Sequence, residues 1–200
     1  MKKIRVIIVL VLLIAALVVS GLYFGTIFQK NAIVKLEEKI GLLKEEMVPL
    51  RFKILEKNEE GIKVAIKFYD ADGNVVQRYE GKIPGEELSL DFYVIPIGEK
   101  HIAFPYKIFS NKIAAKDGIE LFPYYNADGF PQIFYSQKMD SDLKAGLTDL
   151  FTKVQNKDFD TINGAFGSMV QDIKPLNAFK DRTIYKIVVH TKGGIEIIEE

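Results

Sequence analysis

From Val6 to Phe28 the chain runs for 23 residues without a charged side chain, and no other feature narrows its options as much. As a helix at ~1.5 Å per residue this run reaches ~35 Å, slightly more than a ~30 Å hydrocarbon layer. Lys2, Lys3 and Arg5 precede it, so the positive-inside tendency leaves the amino terminus in the cytoplasm and sends the rest outward. A secretion signal also begins with a basic stub, and Ser20 and Gly21 are small enough for a peptidase. Its apolar region, however, is ordinarily ~7 to 15 residues, and cleavage there would leave Leu22, Tyr23, Phe24, Ile27 and Phe28 as an apolar new terminus. The expectation is an uncleaved single-pass anchor in the cell inner (plasma) membrane, with the lipid bilayer as its first partner. Residues 1–5 form a cytoplasmic stub, residues 6–28 the transmembrane helix, and everything that follows is extracytoplasmic.

Residues 29–48 are expected to form a juxtamembrane helical stalk. Ile33, Leu36, Ile40, Leu43 and Met47 alternate at steps of three and four, the spacing of a coiled-coil seam. β-Branched residues at one seam position with Leu at the other favour a parallel pair, which makes these five residues candidates for homo-oligomerisation. Gly41 weakens the helix, Pro49 stops it near Val48, and a parallel dimer would set Lys39 beside Lys44 of its partner. The alternative is an amphipathic segment folded back on its own domain.

After Pro49 the period changes from helical to alternating. Ile62, Val64, Ile66 and Phe68 share one face while Lys63 and Lys67 point away, and the turn "DADGN" follows at Asp70–Asn74. Strands are expected near 50–56, 62–69, 74–81, 88–97, 101–109, 118–124, 130–136, 183–190 and 194–199. A helix capped by Asp140 or Ser141 should bury Leu143, Leu147, Leu150, Phe151 and Val154, and a weaker helical pattern spans 157–176. Residues 50–200 thus read as one extracytoplasmic α+β domain, mainly antiparallel sheet with one or two helices.

Nine aromatic residues fall within the 32 positions from Phe104 to Tyr135, and three of the seven prolines follow a phenylalanine there. Proline has no N–H for a sheet ladder, so each such pair marks a strand end or bulge. Two uses of the rings compete: core filling, or a docking surface on which Phe104, Tyr106, Phe122, Tyr124, Tyr125 and Phe130 meet a partner.

Reactive chemistry is not legible. Without cysteine there is no disulfide, thiol nucleophile or thiolate metal site. In the frame that starts at Asp70, Val75 stands where a calcium loop needs glycine, and Gly81 stands where it needs a carboxylate. Ser168 lacks the second glycine of a nucleophile elbow, and acidic pairs such as Asp140 with Asp142 or Asp158 with Asp160 suit helix starts. Beyond Arg5 the chain carries 24 basic against 27 acidic residues, without the basic cluster that phosphate backbones require, so nucleic acid is not an expected partner. No cofactor or metal is expected. The sequence suggests a noncatalytic interaction or scaffold subunit of a cell-envelope protein assembly, with other envelope proteins as partners. The alternative is a membrane-tethered binder of an amphiphile or small ligand.

Overall fold

The computed structural model describes residues 13–20, 36, 39–40, 43–166, 170–176, 180 and 182–200, with side chains for all of these except 163–166 and 170–173. Five strands open the domain: β1 (Glu46–Asn58), β2 (Gly61–Tyr69), β3 (Val75–Ile83), β4 (Leu88–Ile97) and β5 (Lys100–Ser110). Three two-residue strands follow, β6 (Ile119–Glu120), β7 (Asn126–Ala127) and β8 (Phe130–Pro131). Helices α1 (Ser141–Gln155) and α2 (Phe159–Phe166) precede β9 (Val170–Pro175), β10 (Ile184–His190) and β11 (Ile195–Glu199). One sheet has the order β11-β10-β1-β2-β3, a second the order β6-β5-β4-β9, and β7 pairs with β8. The fold is α+β and mainly antiparallel sheet.

Alternation in the sequence becomes the two faces of the first sheet. Leu50, Phe52 and Ile54 of β1 stand opposite Phe68, Ile66 and Val64 of β2, and all six are buried. Arg51 stands opposite Lys67 on the other face. The carboxyl-terminal hairpin completes this sheet, because β10 pairs with β1 as well as with β11. β4 and β5 differ, since consecutive residues such as Phe92 and Tyr93, or Ala103 and Phe104, are buried together. A strand buried on both faces needs this near-continuous apolar sequence.

Three expectations are corrected. β1 begins at Glu46, so the chain is already in the ladder, with Met47 opposite Val189, before Pro49 is reached. Pro49, which cannot donate, falls in the register break between Met47 and Leu50 rather than ending a helix. The strands expected at 118–124 and 130–136 shrink to two residues each, and 3-10 turns at Phe122–Tyr124 and Gln132–Phe134 take over beside Pro123 and Pro131. The helical pattern at 157–176 ends at Phe166, and Val170–Pro175 instead pairs with β4.

Of the expected 6–28 span, only 13–20 are described, and these are helical. Among the described residues no helix is long and apolar enough to cross a membrane. Within the expected stalk, Leu36, Lys39 and Ile40 are helical, and Leu36, Ile40, Leu43 and Met47 are all buried in the domain core. Gly146 of α1 makes room for Leu36, whose Cδ1 would lie 2.8 Å from a Cβ at that position. Lys39 Nζ reaches Asp140 Oδ2 at 3.0 Å. Asp140 also caps α1, its Oδ1 accepting from the N–H groups of Asp142 and Leu143 at 2.9 and 3.3 Å.

Two predictions follow from this packing. Gly61 has φ +137°, and an added Cβ would meet the Ile83 carbonyl oxygen at 2.4 Å, whereas Gly73, at φ +87°, has open space around it. In urea denaturation Gly61→Ala should therefore lose ~3 kcal/mol or more, and Gly73→Ala only ~1 kcal/mol. The second concerns acid. Lys39, and then the two backbone N–H groups, hold the Asp140 carboxyl below its ordinary 3.8. A depressed folded-state pKa contributes stability that is fully present above the unfolded value and is lost as pH falls through the folded one. Asn still caps a helix but carries no charge, so Asp140→Asn should be less stable than the wild type at pH 6, and the gap should close below pH 3.8.

Candidate functional site

The aromatic segment is built as a wedge. Its 3-10 turns put Phe122, Tyr125 and Phe134 inside, where Tyr125 meets Phe68 of β2 at 5.7 Å, Phe122 at 6.0 Å and Phe151 of α1 at 5.6 Å between ring centroids. Phe104 of β5 lies 5.5 Å from Phe134 and 5.4 Å from Phe151. The Tyr125 hydroxyl donates to the Pro105 carbonyl at 2.7 Å. Of the six rings expected to meet a partner, Phe104, Tyr106, Phe122, Tyr125 and Phe130 are therefore buried among the chain's own elements. Only Tyr124 is partly exposed. Among the expected oligomerisation residues, Leu36, Ile40, Leu43 and Met47 are likewise covered within one chain, and Ile33 lies outside the described residues.

Two clefts flank the Asp70–Asn74 turn. One, of about 410 Å³, opens between β3 and the wedge and is lined by Val75, Gln77, Tyr124, Asn126, Gln132 and Tyr135 among others. The turn itself is held by Asp70, whose Oδ1 accepts from the N–H groups of Asp72 and Asn74 at 3.0 and 2.8 Å. Asn126 Oδ1 likewise accepts from Gly129 N–H at 2.9 Å. Both Asx turns use their side-chain oxygens locally, as the sequence suggested. The second cleft, of about 220 Å³, includes Lys44, Arg51, Tyr69 and Asp72. Its charges are engaged within the chain: Lys44 donates to the Ala71 carbonyl, and Arg51 Nε lies 2.8 Å from Glu200 Oε2 with its guanidinium 4.4 Å from the Tyr69 ring centre. Asp72 accepts from Gln137 N–H, which chiefly lowers its pKa, and from Ser136 Oγ.

A polar group is also buried in the second sheet. Asp91 and Lys107 are cross-strand partners, and Lys107 is in turn opposite Glu120 of β6. Lys107 Nζ donates to the Lys116 carbonyl at 2.7 Å and lies 4.9 Å from the Tyr106 ring centre. Nearby Tyr93 stacks on Tyr106 at 4.3 Å. Burial, then the hydrogen bond to Tyr106, and the charges of Asp91 and Glu120 push the Tyr93 phenol far above its usual 10. Burial pushes Tyr125 up in the same way. Both phenols stay neutral at physiological pH.

The segments that carry the two histidines, distant in sequence, are joined through the backbone near the start of β1. His101 N–H donates to the Thr191 carbonyl at 2.6 Å, and Thr191 N–H donates to the Glu45 carbonyl at 2.9 Å. The His190 ring nitrogens lie 3.6 Å from Glu46 and 3.4 Å from Glu196. No spacing in the sequence signals the contacts of His190, because pairing of β10 with β1 and with β11 brings Glu46 and Glu196 to it. Asp158 Oδ1 accepts from Thr161 N–H at 3.3 Å near the start of α2, the role expected of an acidic residue there. Ser168 lies outside the described residues.

Core and surface rings should separate cleanly on mutation. Tyr125→Ala should cost ~3 to 5 kcal/mol in urea denaturation. Tyr135, which is 37% exposed, should change stability by less than ~0.5 kcal/mol when replaced by alanine. Equal effects would refute the wedge. No protein-family model, curated protein or solved structure matches the chain.

Proposed function

We propose that this protein is a single-pass membrane-anchored, extracytoplasmic interaction or scaffold subunit of a cell-envelope protein assembly, and that it is noncatalytic. The observation that carries the reading is the helix at 13–20, in which Leu13, Ile14, Leu17, Val18 and Val19 are 59%, 55%, 71%, 57% and 65% exposed. The helix belongs to the uncharged run from Val6 to Phe28, which is the length a bilayer requires. Apolar side chains left uncovered by the domain cost free energy in water, at ~25 cal/mol per Å², and lipid removes that cost. The basic residues before the run set the orientation, with the amino terminus cytoplasmic. An anchor confines the domain to two dimensions, so modest contacts suffice to hold an envelope partner.

The location of the titratable groups supports a noncatalytic role. Asp140 and Asp158 cap helices, Tyr93 and Tyr125 are neutral core residues, and Arg51 and Lys44 are held within the chain. With the described seam residues covered by their own domain, the proposal does not draw on pairing of stalks. A second reading, a tethered binder of a small ligand, is favoured by the cleft of about 410 Å³, which falls within the ~300–1,000 Å³ range of small-molecule sites.

Membranes washed with alkaline carbonate should retain the full-length protein, and amino-terminal sequencing should find no cut near Leu22. Crosslinking in intact cells should then capture envelope proteins. Release by carbonate, or a mature chain beginning near Leu22, would overturn the anchored reading.

A further inference from the structure

The cleft between β3 and the wedge has a nearly uncharged lining. Among the residues that line it, Asp70 is the one carboxylate and no lysine, arginine or histidine is present. Asp70 is committed to its turn through the N–H groups of Asp72 and Asn74 and through Asn74 Nδ2, which lies 3.0 Å from Oδ2. The lining therefore calls for neither an anion nor a cation. What it offers is amides and rings. Gln77, Asn126 and Gln132 contribute three carboxamide NH₂ donors, while Gln77 Oε1 accepts from Arg78 N–H at 3.1 Å and Asn126 Oδ1 from Gly129 N–H, which leaves the Gln132 carbonyl as the amide acceptor for a ligand.

The rings are fixed in place. Tyr124 lies parallel to Phe68, at 5.9 Å and 7° between planes, and meets Tyr79 in a T-shaped contact at 5.3 Å and 72°. One face is therefore backed by core while the residue keeps part of its surface in the cleft. Tyr135 adds a second, more exposed ring, and Ala71 N–H donates to its backbone carbonyl at 2.9 Å, fixing its position against the turn.

We propose that this cleft binds a neutral saccharide. Sugar C–H bonds, polarised by neighbouring oxygens, suit the electron-rich face of an aromatic ring. Hydroxyl groups both donate and accept, so they serve the three NH₂ donors and the Gln132 carbonyl alike. A proline-rich peptide would also stack on tyrosines, but its backbone offers carbonyl acceptors and few donors, which leaves the Gln132 carbonyl without a partner from the ligand. In the compartment proposed above, the source of such a ligand is the glycan of the envelope. That clause rests on the anchored reading, whereas binding by the purified protein does not.

The test uses the full chain in a zwitterionic detergent without sugar headgroups, since a glycosidic detergent would compete. Chitotetraose and cellotetraose are titrated by calorimetry, with saturation-transfer NMR to identify the contacting protons. Saturable binding of at least one is expected, weakened about tenfold or more in Tyr135→Ala and in Gln132→Ala, with thermal midpoints unchanged. These two positions are chosen because Tyr124 is packed on Phe68 and its loss would perturb folding. Absence of binding to both sugars overturns the proposal, as does binding that persists undiminished in both variants. Binding of a proline-rich decapeptide in place of the sugars would overturn it in favour of a peptide groove. Release of the protein by carbonate would refute the anchor while leaving this result intact.

Discussion

The fold depends on one buried ring. Tyr125 sits where a strand of the first sheet, a strand of the second and helix α1 converge, touching Phe68 and Phe151 and bonding to the backbone at Pro105. Neither sheet could be closed by its own side chains here, because β4 and β5 present apolar residues on both faces. The wedge fills that space with rigid aromatic volume, and rings that meet at angles between parallel and perpendicular pack without leaving voids. Its hydroxyl is satisfied by a carbonyl next to a proline, so the polar atom costs little.

The repeated Phe-Pro pairs connect this core to the surface. A proline interrupts the ladder, and the phenylalanine before it turns inward: Phe104, Phe122 and Phe130 are all buried. The residues after Pro123 are divided between the two sides. Tyr125 goes to the core, while Tyr124 keeps part of its surface beside Asn126 in the larger cleft. A segment that had to be irregular to fill a gap thereby supplies a recess of mixed amide and aromatic character.

Much of the architecture could be read from the sequence. Alternation in β2 and the three- and four-residue spacing in α1 mark strands and helix directly, because each has a single solvent-facing side. Where both faces are covered, or where the chain fills space irregularly, periodicity carries no such information. Hence 118–124 and 130–136 read as strands although they are mostly 3-10 turns. The seam at Leu36, Ile40, Leu43 and Met47 was legible as an apolar stripe, but a stripe does not say what covers it. In this chain Gly146 makes room for Leu36 and Lys39 meets Asp140, so the domain covers the described part of it. Of the cleft, only the rings were visible beforehand. Gln77 and Gln132 are brought beside them by the turn at Asp70 and by β3, a long-range meeting that no local pattern encodes.

The chain enters its first sheet at β1, a middle strand flanked by β10 and β2 rather than one at the margin. Ladder bonds in antiparallel sheet run across the strand direction. A pull arriving from the amino terminus along β1 therefore loads its bonds to both neighbours together, in shear, instead of peeling them apart in sequence. The link between the Glu45 carbonyl and Thr191 and the contact between Glu45 and Lys192 stand at the point where that load arrives. This attachment suits a body that must keep its shape under mechanical tension.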